Sequence, residues 1–242
     1  MRGAAYRAAR AAYRKLTRPV GTVRAVRTDA AQIVLTYDDG PDPQGTGPVL
    51  EALARFGATA TFFVLTPRAR QHRNLLAEIV AAGHEVGLHG IDHQRLTRFP
   101  APEVRRRTLE GKAVLEDLLQ APVRWFRPPY GAQLPATWWA VRRAGLEPVV
   151  WGPTPADWRA LPEPDLAADA MVGAAPGAIV LAHDGYAGPQ DGAEDGDPPN
   201  LDRGRLTTLM LRGYQERGLT GRSLSTVLGE GGGLARWGWF RR

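Results

Sequence analysis

The residues that could do chemistry in this chain of 242 residues fall into five short segments. Each segment follows a short apolar run and contains aspartate, histidine or arginine. The segments are 36–43, 89–93, 127–131, 157–158 and 181–184. Histidine and carboxylate side chains can bind metals and carry protons, so we treat these segments together as a candidate catalytic site.

A pair of histidines in the second segment suggests a metal site. His89 and His93 are four residues apart, and on a helical turn this spacing puts both rings on one side, where they could share a metal ion. The spacing alone is a weak signal, because such pairs also arise by chance. Two imidazoles with one carboxylate from Asp38 or Asp39 would leave positions open for water and substrate, as a catalytic metal requires.

The adjacent carboxylates Asp38 and Asp39 have two interpretations. They precede Gly40 and Pro41, and aspartate favours turns, so a turn alone would explain them. The alternative separates their roles, with one carboxylate binding the metal and the other taking a proton from the attacking water. The histidines and the other polar residues in the remaining four segments favour this second interpretation.

Apolar runs and periodic stretches alternate along the chain and predict the elements that position these segments. Strands are predicted at 33–37, 60–65, 85–89, 124–127, 148–151 and 178–183. Helices are predicted at 45–56, 75–82, 102–120, 135–144, 165–174 and 206–217, with a short last element near 223–228. This order predicts an α/β fold with a mostly parallel sheet, as a distorted (β/α) barrel of about seven strands or, alternatively, an open doubly wound sheet. In a barrel the carboxyl ends of the strands share one rim, which brings the five segments together.

Composition limits the remaining possibilities. The chain has no cysteine, so disulfides and thiolate metal sites are excluded. The net charge of +6 is concentrated at the two ends, because residues 1–28 carry eight basic and no acidic residues and residues 231–242 carry three more arginines. We therefore predict a basic, helical N-terminal segment at 1–30, a catalytic domain at 31–228 and a flexible basic and aromatic tail at 229–242. No aromatic and basic recognition motif supports binding to nucleic acid.

Taken together, the five segments resemble the polysaccharide deacetylase family, also called the NodB homology domain or carbohydrate esterase family four. The resemblance covers about residues 31–228, and its strength lies in five modest motifs that occur in the family's order. The matching residues are Thr36, Tyr37, Asp38, Asp39, Gly40 and Pro41, then His89 and His93, then Arg127, Pro129 and Tyr130, then Asp157 and Trp158, and finally Leu181 and His183.

The resemblance implies a metal site and a general base. Asp39, His89 and His93 would hold a divalent metal, for which zinc is expected. Asp38 would be the general base, and Arg127 would position it and keep it ionised.

The resemblance also implies a general acid and a pocket. His183 would protonate the leaving amine, and Asp157 would orient it and raise its pKa. The backbone amide of Tyr130 would help to stabilise the oxyanion. Trp158 and Leu181 would line the acetyl pocket.

Four positions depart from the family's pattern. Tyr37 replaces the usual Phe, Gly90 the usual Ser or Thr, Gln94 the usual Pro, and Thr154 the first Asp of the fourth motif. Without the hydroxyl at position 90, we expect a looser turn between the two histidines. None of the four removes a metal ligand or a proton carrier, so they affect the expected substrate and rate more than the chemistry.

The leading functional prediction is a metal-dependent hydrolase that removes acetyl groups from an N-acetylated sugar or polysaccharide. An O-acetyl esterase acting on a polysaccharide is a second possibility, because the same site serves both reactions in the family. A catalytically decayed carbohydrate-binding protein is a third. It is disfavoured because every metal ligand and proton carrier implied by the motifs is present.

The two termini support a hypothesis about location. A helical wheel places four arginines of the N-terminal segment on one face, opposite a surface rich in alanine, and Trp237, Trp239 and Phe240 lie among arginines at the other end. Basic residues beside aromatics suit an anionic membrane surface; the alternative is a helix packed on the barrel with a loose tail. Arginines interrupt any signal-peptide core, so we expect a cytoplasmic monomer. A membrane-bound form would be peripheral on the inner membrane face and could act on a lipid-linked N-acetylated glycan.

The remaining conspicuous polar residues are given structural roles. His72 and His84 are expected to be ordinary boundary histidines, and Asp92 is expected to face solvent. Asp184 is assigned to a turn in preference to the site. Residues 187–199 are expected to form a solvated loop, because their acidic spacing fits no EF-hand.

Overall fold

Alternating strands and helices make up most of the computed structural model, which describes residues 21–240. The strands are β1 (Thr22–Arg27), β2 (Gln32–Asp38), β3 (Thr61–Leu65), β4 (Glu85–Gly90), β5 (Trp125–Phe126), β6 (Glu147–Pro148), β7 (Ile179–His183), β8 (Thr220–Arg222) and β9 (Gly233–Trp237). The helices are α1 (Thr46–Arg55), α2 (Thr66–Gln71), α3 (Arg73–Ala81), α4 (Ala101–Leu119), α5 (Pro135–Arg143), α6 (Glu163–Ala170), α7 (Arg203–Glu216) and α8 (Leu224–Gly229).

Seven strands form one parallel sheet in the order β6-β5-β4-β3-β2-β7, with β8 also paired to β2. Parallel sheets are covered on both faces, which explains why β3 is buried along its whole length. Each strand is followed by helical chain that crosses back over the sheet, so the strands run in the same direction. The predicted α/β fold with a curled, barrel-like sheet is confirmed.

The two faces of the sheet have separate apolar cores. On β2, Ile33, Leu35 and Tyr37 pack toward the covering helices in the larger core. Val34, on the opposite face, packs with Phe63 in a smaller core that β1 and α8 cover. This division follows from the two-residue period of a strand, which sends successive side chains to opposite faces.

The two terminal segments differ from their predicted roles. Residues 22–27 form β1 rather than a helix, and residues 233–237 form β9 rather than a flexible tail; the two strands pair antiparallel. β1 also forms bridges to Val149 and Ala178, which lie beside β6 and β7 at the two edges of the large sheet. The expected boundaries at 30 and 229 are therefore wrong, because both segments belong to the body of the fold. The predicted helix over the preceding residues, 1–20, lies outside the described residues.

The other elements agree with the sequence prediction to within a few residues, with three exceptions. The short helix α2 and the short strand β8 were not predicted, and β6 is displaced from the predicted 148–151 to Glu147–Pro148. Short elements of this kind are held by tertiary contacts rather than by a local pattern. Among the described residues, no helix combines the length and the apolar character that crossing a membrane requires.

Candidate active site

The register of the sheet brings two of the predicted site residues side by side. β2 and β7 pair so that Thr36 lies opposite Leu181 and Asp38 lies opposite His183. All four side chains point to the face on which Val34 is buried, because they lie two or four residues after Val34 on β2 or after its pairing partner Ile179 on β7. Both strands end here, so the following residue, Asp39, lies at the same rim.

Asp39, His89 and His93 form a compact group that could hold a metal ion. Asp39 Oδ1 lies 3.3 Å from His89 Nε2 and 3.5 Å from His93 Nε2, and all three side chains are buried. His89 Nδ1 donates to the carbonyl oxygen of Arg127 at 2.8 Å, which leaves the Nε2 lone pair directed at the group. Asp39 Oδ1 is buried without a hydrogen-bond donor, and a cation between the three side chains would satisfy it.

The electrostatics of this group favour the ligating forms of its members. Burial would raise the pKa of Asp39, but the proximity of the His93 and His89 imidazoles outweighs burial and holds that pKa well below its ordinary value. Burial lowers the pKa of His93, so its imidazole is neutral at neutral pH. A carboxylate with neutral imidazoles is the form in which these side chains bind a metal.

The segment between the two histidines is not the helical turn that the sequence analysis assumed. His89 is still in β4, and Gly90 has φ of +153°, where an added Cβ would meet the carbonyl oxygen of Asp92 at 2.6 Å. A serine or threonine would be strained in this conformation, so the glycine suits its backbone. The turn is held without the missing hydroxyl, because the backbone N–H of His93 donates to Asp191 O at 2.7 Å and Asp92 is ion-paired with Arg107. Asp92 was expected to face solvent, and that expectation is wrong.

Asp38 forms a buried ion pair with Arg127. Arg127 Nη1 donates to Asp38 Oδ1 at 2.8 Å and to Thr36 Oγ1 at 2.7 Å. The guanidinium is fully buried and lies over the ring of Phe63, 4.2 Å from its centroid. Breaking a buried pair of this kind is costly, so Arg127 holds the Asp38 carboxylate in one orientation.

Asp157 is paired with His183 through two hydrogen bonds. His183 Nδ1 donates to Asp157 Oδ1 at 2.6 Å, and the His183 backbone N–H donates to Asp157 Oδ2 at 2.8 Å. Burial opposes protonation of His183, but the charge and hydrogen bond of Asp157 outweigh burial and raise the pKa of His183 to about 9. The imidazole is therefore protonated at neutral pH. Its hydrogen bond to Asp157 is made by Nδ1, so the Nε2–H group does not bond to Asp157.

A cavity of about 410 Å³ joins these groups. It is lined by Asp38 and Asp39 and by all three histidines named above, together with the other predicted pocket residues Tyr130, Trp158 and Leu181. Tyr130 has a left-handed backbone (φ 59°), and its ring packs against His93 with 4.4 Å between centroids. Trp158 stands edge-on to His183 and remains half exposed, while Leu181 is buried. Every predicted site residue except Arg127 lines the cavity, and Arg127 lies behind Asp38.

Two arginines that the sequence analysis did not single out hold the site together. Arg203, at the start of α7, donates from Nη1 to the carbonyl oxygen of His183 at 2.8 Å and lies 3.4 Å from Asp157 Oδ2. Arg68, on α2, binds both carboxylate oxygens of Asp191 at 3.1 and 2.7 Å. Their partners are distant in sequence, so no local pattern would have indicated either arginine.

The acidic loop is buried at one of its aspartates. Asp191 is buried on Arg68, so the expectation of a solvated loop is wrong at that position, whereas Asp195 is exposed as expected and accepts a hydrogen bond from the Tyr130 hydroxyl at 2.8 Å. Asp184 lies in a bend, as expected, but it is buried and accepts from Thr46 Oγ1 at 2.6 Å. Burial raises the pKa of Asp184 to about 7.

The Asp–His–His group and the two pairs built on Asp38 and Asp157, at the rim of a barrel-like parallel sheet, are side chains of the kinds that metal-dependent hydrolases use. Comparison with known proteins identifies the group to which the chain belongs. The sequence pattern of the family described as polysaccharide deacetylase matches residues 25–149, about half of the chain. The chain belongs to the polysaccharide deacetylase family.

Relatives and solved structures agree with this assignment. A chitooligosaccharide deacetylase from Sinorhizobium fredii is 38% identical over 166 residues, which are 68% of this chain and 77% of the relative. A peptidoglycan-N-acetylglucosamine deacetylase from Bacillus cereus is 33% identical over 175 residues, 71% of this chain and 82% of the relative. A family 4 carbohydrate esterase from Streptomyces lividans, solved with acetate, has the same fold, with a TM-score of 0.70, 23% identity and coverage of 85% of this chain and 98% of that one.

Proposed function

We propose that this protein hydrolyses the acetamide of an N-acetylated amino sugar in a glycan and releases acetate. The observation that carries the proposal is that an Asp–Arg pair and an Asp–His pair meet in one cavity beside a group of three residues able to hold a cation. Amide hydrolysis needs an ionised base to activate water and a protonated acid for the leaving nitrogen, and the two pairs supply these opposite states.

Asp39, His89 and His93 are proposed to hold the divalent cation, for which zinc is expected. The donor set of two imidazole nitrogens and one carboxylate suits zinc and leaves coordination positions for other groups. When bound, such a cation polarises a carbonyl oxygen as a Lewis acid and lowers the pKa of water.

Asp38 is proposed as the general base. Its Oδ2 lies 4.0 Å from His89 Nε2, whereas its Oδ1 is held by Arg127. The free carboxylate oxygen therefore faces the group formed by Asp39, His89 and His93, which we call the metal group. A base in this position takes the proton of the water that attacks the acetyl carbon.

His183 is proposed as the general acid, and Asp157 as the residue that keeps it protonated and oriented. The proton on His183 Nε2 passes to the sugar nitrogen as the carbon–nitrogen bond breaks, which lets the amine leave and frees the acetate. The backbone N–H of Tyr130 is proposed to stabilise the oxyanion, with Trp158 and Leu181 around the acetyl methyl group.

Several solved structures with this fold are of a protein described as a family 4 pseudoenzyme, from Bacillus anthracis, so the fold alone does not guarantee turnover. In this chain both acid–base pairs are intact at hydrogen-bond distance. This observation supports an active enzyme over a decayed sugar-binding protein.

The proposal is tested by acetate release from chitooligosaccharides, peptidoglycan and O-acetylated xylan, with the purified protein loaded with zinc. Release from the N-acetylated glycans that is lost in Asp38→Asn is the expected result. Release from acetylated xylan alone would replace amide hydrolysis with ester hydrolysis, and binding of glycans without release would indicate the sugar-binding protein.

Contact with an anionic membrane, and a lipid-linked substrate, remain proposals that now rest mainly on residues outside the described range. Trp239 packs against Trp151 and donates its indole N–H to Gly131 O at 2.9 Å, so this ring is engaged within the protein. Removal of residues 1–20, which spares β1, is expected to reduce co-sedimentation with anionic vesicles at low salt. Equal sedimentation of both forms would contradict membrane contact through this segment. Monomeric, cytoplasmic protein remains the expectation.

A further inference from the structure

The loop that carries Tyr130 is held in an unusual conformation. Tyr130 and Gly131 both have left-handed backbones, with φ of 59° and 61°. A left-handed tyrosine is uncommon and persists only where its surroundings impose it. The loop's own backbone supplies two hydrogen bonds, from Gly131 N–H to Pro128 O at 2.9 Å and from Ala132 N–H to Pro129 O at 3.0 Å.

The C-terminal segment provides further contacts to this loop from outside. Trp239 Nε1 donates to the carbonyl oxygen of Gly131 at 2.9 Å. The buried side-chain amide of Gln133 donates both to the carbonyl oxygen of Trp239 at 2.9 Å and to Thr22 Oγ1 at 2.8 Å. The loop is therefore tied to β1 and to the chain that follows β9.

The same segment also supports one wall of the cavity. The Trp151 ring lines the cavity and packs against Trp239, with 5.8 Å between ring centroids. A Cβ added at Gly131 would lie 2.8 Å from Trp151 Cη2, which shows how closely the loop is pressed against that ring. Arg24 of β1 donates to the carbonyl oxygen of Trp151 at 3.1 Å and lies over the Trp239 ring.

We infer that Trp239 is a positioning residue for catalysis: its indole N–H and ring hold the Tyr130–Gly131 loop and Trp151 in the geometry that places the Tyr130 backbone N–H at the oxyanion. This inference rests on the proposed function for its chemistry. Its structural part, that Trp239 orders the loop, stands independently of the reaction.

The effect of losing this contact follows from what the loop does. An oxyanion donor acts on the transition state rather than on the bound substrate, so a displaced donor lowers kcat and leaves KM nearly unchanged. Small displacements can cost up to about 10²-fold in rate, so a loss between about tenfold and 10²-fold is expected.

The test compares Trp239→Phe with Trp139→Phe in the full chain. Trp239→Phe keeps an aromatic ring but removes the N–H donor, whereas Trp139 is half exposed on α5 and controls for a Trp-to-Phe change elsewhere. We expect kcat to fall only in Trp239→Phe. We also expect the backbone amides of 130–132 to exchange hydrogen about two- to tenfold faster in that variant, the effect of losing one hydrogen bond.

The outcomes separate the two proposals. If the parent protein releases no acetate, the proposed function fails, while the exchange measurement still decides the role of Trp239. Unchanged kcat and unchanged exchange in Trp239→Phe would overturn the inference. If Trp239→Phe does not fold, Gln133→Leu tests the same contact between the C-terminal segment and the loop, because it removes the amide that donates to the Trp239 carbonyl oxygen. A lower kcat with faster hydrogen exchange in the loop would support the inference. A kcat and an exchange rate equal to those of the parent protein would overturn it.

Discussion

At the scale of single residues, neighbours in the sequence have different environments because a strand ends between them. Asp38 is the last residue of β2 and points inward to Arg127, whereas Asp39 has φ of 75° and points to the two histidines. The left-handed backbone at Asp39 turns its carboxylate away from that of Asp38. Two adjacent acids can therefore have separate partners and separate roles.

Asp38→Asn and Asp39→Ala should have different effects. Asp38→Asn removes the base but none of the metal group, so we expect bound metal to stay near one equivalent while the rate falls by roughly 10²–10⁴. Asp39→Ala removes a ligand, so we expect the metal to be lost. Metal analysis of both purified variants, with circular dichroism to check the fold, decides the matter. The reverse pattern would show that the two roles are exchanged.

Asp157 should set the alkaline limb of the pH profile. His183 donates a proton only while protonated, and its raised pKa of about 9 means that activity is present below that pH and is lost as the pH rises through it. Asp157→Asn removes the carboxylate that raises the pKa, so the alkaline limb of kcat/KM should move to lower pH. A bound divalent cation also disfavours the imidazolium, so the shift between variants is the measured quantity.

Asp169→Asn is the matched control for this shift. Asp169 is a half-exposed acid on α6 that is paired with Arg159 and does not line the cavity, so its removal should leave the alkaline limb in place. If the alkaline limb of kcat/KM stays at the same pH in Asp157→Asn, a group other than His183 determines that limb.

At the scale of elements, the site depends on the segment that follows β7 and on how α2 holds it. Arg68 binds Asp191 and also donates to the carbonyl oxygen of Tyr186 at 2.7 Å. The same segment touches two members of the metal group, because Ala187 N–H donates to Asp39 Oδ2 at 3.2 Å and Asp191 O accepts from the backbone of His93. One arginine thus links α2 to the surroundings of the metal group.

Arg68→Ala should weaken both the fold and the metal site. It leaves the buried Asp191 carboxylate without its counterion, a change that typically costs about 3–5 kcal/mol in the free energy of unfolding. Loss of outer support for ligands typically lowers metal affinity by about 10–100-fold. Chemical denaturation and a metal titration measure the two effects.

Two further variants separate these effects. Arg70→Ala changes an exposed arginine on the same helix and should alter neither quantity. The double variant Arg68→Ala with Asp191→Ala removes the uncompensated charge, so it should regain part of the stability while the metal affinity stays low. Parent affinity in the double variant would mean that Arg68 does not support the metal site.

At the scale of the whole molecule, β1 joins the two edges of the large sheet. The backbone N–H of Val150 donates to Val23 O at 2.8 Å near one edge, and that of Val26 donates to Gly177 O at 2.8 Å near the other. Val23 is fully buried in the smaller core. Closing the sheet in this way keeps the strand ends, and the site on them, at one rim.

Val23→Ala should therefore destabilise the protein although it lies outside the catalytic motifs. Removing two buried carbon groups at roughly 0.8 kcal/mol each, plus a cavity term, predicts a loss of about 2 kcal/mol in the free energy of unfolding. Val172→Ala is the control, because Val172 is 73% exposed and its truncation should have little effect. Equal denaturation midpoints for the two variants would contradict the role of β1 in closing the sheet.

The sequence by itself determined the alternation of strands and helices, the family, and the side chains at the ends of the strands. These features depend on local period and on short motifs, so one stretch of chain is enough to indicate them. The division of labour between Asp38 and Asp39 was also predicted, through the resemblance. Their separate partners agree with it, while the roles themselves await the variants described above.

Only the tertiary structure decided how the distant parts of the chain support that site. Arg68, Arg203 and Trp239 act through partners that lie between 20 and 123 residues away along the chain. The two terminal strands form because they pair with each other and cover the smaller core, although locally they look like a basic segment and a glycine-rich tail. Local pattern has no access to such contacts, because their stability comes from burial and pairing that exist only once the chain has folded.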